Sequence, residues 1–253
     1  MERPILFNSE MVRAILDNRK TQTRRVIKPQ PTNADYWTLL HTVGLRDSFY
    51  PNTIKATPGR LACPHGQPGD RLWVRETWRI ESFIDGEPIE FGYKDGATME
   101  ERCEGQDAPN YEDWMERMNV QSTEDCERSG LMCDEEGYYS WEHGNSPCRW
   151  RPSIHMPRWA SRLTLEVTGV RVEQVQSISH EDALAEGVVA FTVSPGTAPA
   201  SYPITFYSPG PHDEGGYPQA REAFENLWDS INAKRGYGWD VNPWVWVVEF
   251  GRA

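Results

Sequence analysis

Apolar and polar positions along the chain sort into a handful of segments with a readable period. Met11, Val12, Ile15 and Leu16 recur at helical spacing behind Ser9, a residue suited to capping. Asn18 fits the left-handed exit of that helix. "RKTQTRRVI" (19–27) is rich in Thr, Val and Ile, which predicts an extended strand, and "KPQP" ends it. In "GQPGDRLWVRETWRI" (66–80), Pro68-Gly69 marks a turn closed by Asp70, and Leu72 and Val74 then alternate with Arg71, Trp73 and Arg75 as in a strand. "SRLTLEVTGVRVEQV" (161–175) predicts one strand or two around Gly169. "SISHEDALAEGV" (177–188) predicts a short helix, with Ser179 and Asp182 spaced as a capping box and Gly187 as the stop.

The strongest helix is "YPQAREAFENLWDSINAKRG" (217–236). Ala220, Ala223, Phe224, Leu227, Trp228 and Ile231 form one apolar stripe between Pro218 and Gly236. "NPWVWVVEF" (242–250) closes the pattern as a strand with Trp244, Trp246, Val248 and Phe250 on one face. Val245 and Val247 on its other face predict burial on both sides. Residues 32–60 and 192–217 read as loops, and 81–150 as an insertion holding at most a short helix in "NYEDWMERM" (110–118). Strands do not alternate regularly with long helices. The order predicts an α+β fold, a small curved sheet or barrel flanked by helices, with one domain over 1–253 interrupted at about 81–150.

Composition sharpens this picture at two points. The 253 residues are 38% hydrophobic with 11 Trp, enough for a sizeable core, and no apolar run is long enough to span a membrane. "MERPILFNSE" lacks the basic-then-apolar character of a secretory signal, so a cytoplasmic location is expected. The net charge of -12 is unevenly spread: residues 1–80 carry net +6, and residues 81–147 carry net -15. The acidity therefore belongs to one segment, which is expected to be a solvated insertion or a surface for a protein partner. Five Cys without a C-x-x-C pair read as reduced thiols. A zinc site drawing on Cys63, His65 and some of Cys126, Cys133 and Cys148 is the sharper alternative. No metal and no cofactor is expected.

The chemistry concentrates in "NRKTQTRRVIKPQ" (18–30), where four cations fall within Arg19 to Arg25 and two threonines lie among them. With "PGDRLWVRE", "DALAEGV" and the closing "VWVVEF", this stretch resembles the ASCH domain family of the PUA-like β-barrel superfamily, in particular ASCH-containing proteins carried by bacteriophages and prophages of enteric bacteria. The resemblance covers roughly residues 3–30, 66–80 and 155–250 and leaves out the acidic segment. It implies a PUA-like barrel whose cleft binds RNA or a modified base. Some small members are amidohydrolases that remove the acetyl group from N4-acetylcytidine, and others are ribonucleases. Carried over, the resemblance places Lys20, Thr23 and Arg25 in the site and makes Glu186 the matching acid.

The residues can support that chemistry. Burial and neighbouring cations would lower the pKa of Lys20 so that it takes the Thr23 proton. Thr23 would attack the acyl carbonyl, Arg25 or Arg75 would stabilise the oxyanion, and Glu186 or Glu76 would protonate the leaving amine. In a straight strand, however, Thr21, Thr23 and Arg25 share one face and Lys20, Gln22 and Arg24 the other. Lys20 reaches Thr23 only if the chain bends near Arg19–Thr21. His155, Arg158 and Trp159 in "RWRPSIHMPRWASR" (149–162) combine cations and indole as nucleic-acid contacts do. Trp239 in "GYGWDVNPW" is a candidate stacking platform. Three functions stay open: an amidohydrolase on an N-acylated cytidine, a binding module for RNA, a nucleoside or a modified base, and a ribonuclease.

Overall fold

The computed structural model describes residues 1–30, 37–39, 48–51, 61–82, 89–100, 110–193, 204–210 and 216–253. In chain order its elements are β1 (Glu2–Leu6), α1 (Ser9–Leu16), β2 (Gln22–Val26), β3 (Trp37–Leu39), β4 (Ser48–Pro51), β5 (Leu61–Ala62), β6 (Arg71–Arg75), β7 (Trp78–Ser82), β8 (Glu90–Tyr93) and β9 (Thr98–Glu100). There follow α2 (Tyr111–Ser129), β10 (Thr164–Gln174), α3 (His180–Ala185), β11 (Val189–Val193), β12 (Ile204–Ser208), α4 (Ala220–Asn232) and β13 (Trp244–Arg252). The fold is mixed α and β. Its largest sheet has five strands in the order β1-β6-β10-β13-β2, and three smaller sheets hold β11-β12, β3-β4-β5 and β7-β8-β9. The sheets are open: among the described residues none closes into a barrel. No described helix is long and apolar enough to cross a membrane.

The chain divides into two compact units. The first holds residues 1–3, 13–72 and 165–253, and the second holds 4–12 and 73–164. In the first, β13 runs antiparallel between β10 and β2, with Val247 opposite Arg24 and Val248 opposite Thr23. Its two faces are both buried, as the alternation predicts. Val245 and Val247 meet the apolar stripe of α4, where Ala220, Ala223, Phe224 and Trp228 pack with Val175, Ile178 and Ala183. The bulge in β10 falls between Val167 and Gly169, so the stretch is one strand rather than two.

The second unit has its own core, built by Trp78, Ile80, Phe91 and Tyr93 of the β7-β8 pair together with Met118, Met156 and Ala160. Most of the expected insertion lies here, and it contains more structure than the sequence pattern shows. α2 runs 19 residues, twice the expected helix, and ends at Gly130 in the left-handed conformation. Three further differences concern local rules. Asn8, not Ser9, caps α1, its Oδ1 accepting from Met11 N at 2.8 Å. β1 occupies "ERPIL", which holds a proline, and it is an edge strand, where a missing N–H is tolerated. β11 and β12 form an antiparallel pair, with β12 inside the stretch read as loop. The rest of that stretch (194–203 and 211–215), most of 32–60, and Cys103 lie outside the described residues.

Candidate functional site

The stretch that concentrates cations lies at the start of β2, the edge strand of the five-stranded sheet. Asn18 adopts the left-handed conformation (φ 57°) and turns the chain out of α1. Arg19 N and Lys20 N then donate to Ala14 O. Thr21 still bonds to β13, through Phe250 N, while its own N–H donates to Ala185 O. Lys20 forms an antiparallel bridge with Glu186. The switch of partner from β13 to the segment after α3 draws Lys20 inward.

Lys20 is 2% exposed. Its Nζ donates to Glu186 Oε2 at 2.7 Å and to Glu186 O at 2.8 Å. Glu186 Oε1 accepts from Arg24 at 3.1 Å, and Arg24 also reaches Asp182 Oδ2 at 3.0 Å and Glu173 Oε2 at 3.1 Å. Arg171 joins Asp182, Glu173 and Glu249 to the same network. Burial lowers the pKa of Lys20; Glu186 opposes that shift, and Arg25 and Arg24 add to it. Burial also raises Asp182, but Arg24 and Arg171 outweigh it and hold the carboxyl below its ordinary range. Removing one partner from such a network is costly, because the other charge stays buried without compensation.

The faces of β2 follow strand alternation. Lys20, Gln22 and Arg24 all turn toward α3, with Gln22 Nε2 donating to Asp182 O at 2.9 Å. Val26 packs with the α4 core on that side, and the Arg24 guanidinium lies 5.7 Å from the Phe224 ring centroid. Thr23 and Arg25 oppose Val248 and Trp246 on β13 and share their face. The turn at Asn18 therefore unites Lys20 with Glu186, and the strand between them sets Lys20 and Thr23 on opposite faces. Thr23 is buried, and Arg25 is half-buried. Burial lowers the pKa of Arg25, Glu186 opposes this, and Arg235 reinforces it. His65 is pushed down to about 4, first by burial and then by Arg25 and Arg3, so it is neutral at pH 7.

The remaining candidates take other places. Trp239 is a core residue of the first unit, edge-on to Phe224 at 6.2 Å, rather than a stacking platform. Arg75, Glu76, Arg158 and Trp159 belong to the second unit. Glu76 is buried and both its oxygens accept from Arg162 at 2.8 Å, which makes it the partner of an arginine and not a free acid. Burial raises its pKa against the pull of Arg162. The Arg75 guanidinium stacks 4.5 Å from the Trp73 ring, and Arg158 lies 5.9 Å from the same ring. Trp159 packs edge-on against Tyr111 and Trp114. Cys126, Cys133 and Cys148 are free thiols, Cys63 is buried, and no cluster of three or more His, Cys, Asp or Glu among the described residues is arranged to hold a metal.

Arg24, Asp182 and Glu173 escape a reading by motif. Arg24 has a signal, since it shares the alternation of Lys20. Asp182 is masked by its place in the capping box. Ser179 Oγ does accept from Asp182 N at 3.0 Å, but the Asp182 carboxylate serves the arginines. No known family, no curated protein and no solved structure matches the chain.

Proposed function

We propose that the first unit recognises a modified nucleobase, of the N-acylated cytidine type, at the β2 edge. The observation that carries this reading is the buried contact of Lys20 with Glu186, residues 166 positions apart. They are two of the four residues that the ASCH resemblance assigns to the site. Thr23 and Arg25 supply a hydroxyl and a cation from the other face of the same edge strand, with neutral His65 close enough to feel Arg25. These are the donor and acceptor types that read a base edge, and burial strengthens each of them. In this reading the open five-stranded sheet is a variant of the PUA-like barrel.

The alternation across β2 favours recognition over chemistry. Proton transfer from Thr23 to Lys20 requires the two on one side, and the amine is already engaged by two acceptors of Glu186. Hydrolysis is the second reading, and the lowered pKa of Lys20 is the observation in its favour. Incubation with N4-acetylcytidine, followed by separation of cytidine, distinguishes them. Recognition alone predicts binding without cytidine release. Hydrolysis predicts release that disappears in both Thr23→Ala and Lys20→Ala. Cleavage of RNA with no effect of Thr23→Ala contradicts both.

A further inference from the structure

A second constellation lies wholly in the second unit and includes the start of the 149–162 segment. A cleft of about 560 Å³ is lined by Trp78, Trp114, Trp150, Arg117, Arg149 and Arg151. That volume is in the range of pockets that hold small molecules and cofactors. Three indoles and three guanidiniums meet here although residues 81–147 carry net -15. Asp125 is buried, and it pairs with Arg128 at 2.7 Å, Arg149 at 3.0 Å and Arg151 at 3.6 Å. Asp125 is thus shared among three cations, two of which line the cleft wall.

Two buried donors on that wall have no acceptor among the described residues. Trp78 is 1% exposed and its Nε1 is unpartnered. Arg151 is 8% exposed; its Nη1 donates to Gln121, its Nη2 has only the long pair with Asp125, and its Nε is unpartnered. Buried N–H groups are rarely left unsatisfied, and each such group costs stability. Both residues line the cleft. Trp114 and Trp150 are half-buried, so their rings are partly accessible, and Lys94 and Arg79 lie 4.1 and 4.7 Å from the Trp150 ring.

We infer that this cleft binds a nucleoside phosphate, with the phosphate on Arg117 and Arg149, the base against Trp114 and Trp150, and oxygen acceptors on the Trp78 and Arg151 N–H groups. Flat rings to stack on, together with guanidiniums for phosphate, are the combination that nucleotide recognition uses. The nucleotide is either free or a residue of single-stranded RNA. This site is independent of Lys20 and Glu186.

Calorimetric titration of the full chain with cytidine and adenosine 5′-monophosphates, the two nucleosides, inorganic phosphate and a single-stranded hexaribonucleotide tests the inference. The monophosphates are expected to bind about tenfold tighter than either the nucleosides or phosphate alone. Arg117→Ala and Arg149→Ala, both at exposed side chains, are each expected to weaken binding about tenfold, with the melting curve of Arg117→Ala unchanged. A hexanucleotide that binds ~100-fold tighter, with steep salt dependence, identifies RNA as the source, and equal affinity identifies the free nucleotide. No heat of binding at about 1 mM ligand, or affinity unchanged in both arginine variants, overturns the inference. Phosphate that binds as tightly as the monophosphates overturns it as well.

Discussion

Glu186 accepts from two buried cations at once, so the effects of removing either partner can be separated. Lys20→Ala leaves the carboxylate with Arg24 alone and opens a cavity; it is expected to cost about 3–5 kcal/mol in chemical denaturation. Lys20→Met combined with Glu186→Gln removes the charge pair but keeps the volume, and is expected to cost less than Lys20→Ala alone. A larger loss in the double variant would contradict the view of the pair as a polar device held at the expense of stability. His65 gives the corresponding pH test. Its folded pKa of about 4 lies below the ordinary 6.5, so the unfolded chain binds a proton that the folded chain refuses. Its contribution is complete above pH 6.5 and is lost as pH falls toward 4, to a limit of about 3 kcal/mol. Denaturation midpoints at pH 7 and pH 4.5 should therefore differ more for the wild-type chain than for His65→Gln.

At the scale of elements, the site depends on how α3 ends. Ser179 starts the helix, and Gly187 ends it at φ +101°, which delivers Glu186 to Lys20. A Cβ on Gly187 would lie 3.4 Å from the Ala14 Cβ and 3.5 Å from the Lys20 Cβ, and the backbone conformation itself disfavours an L side chain. Gly187→Ala is expected to cost about 1–3 kcal/mol, and an unchanged denaturation midpoint would sink this account of the α3 exit. α3 is legible from its Ser179 cap and Gly187 stop, α4 from its apolar stripe and β13 from its alternation. α2 was legible only as far as Met118, because its buried stripe continues through Ser122 and Asp125, which no hydrophobic pattern marks. β1 and β12 are obscured by the residues in and around them, a proline within one strand and Pro, Gly and Ser near the other.

For the whole molecule, the sequence pattern conveys the mixed α and β character and the unequal charge, but not the division into two units. Each unit is assembled from separated stretches, and the boundary cuts through β1, α1, β6 and β10. No local composition shift marks such a boundary. The candidate site was half legible. Lys20 with Glu186 came from a resemblance and is a contact in the fold, whereas the cluster of Arg24 with Asp182 and Glu173 depends on pairing 149 to 158 residues apart. The tryptophans illustrate the same limit: Trp239 and Trp159 look alike in sequence as stacking platforms, and both serve as packing.

The central claim is that the β2 edge reads a modified base. Calorimetric titration of N4-acetylcytidine and cytidine into the full chain and Arg25→Ala addresses it most directly. The account predicts that the acetylated nucleoside binds about tenfold more tightly than cytidine and that Arg25→Ala abolishes the difference while the fold persists. Equal affinity for both nucleosides, or a preference that survives Arg25→Ala, would contradict it.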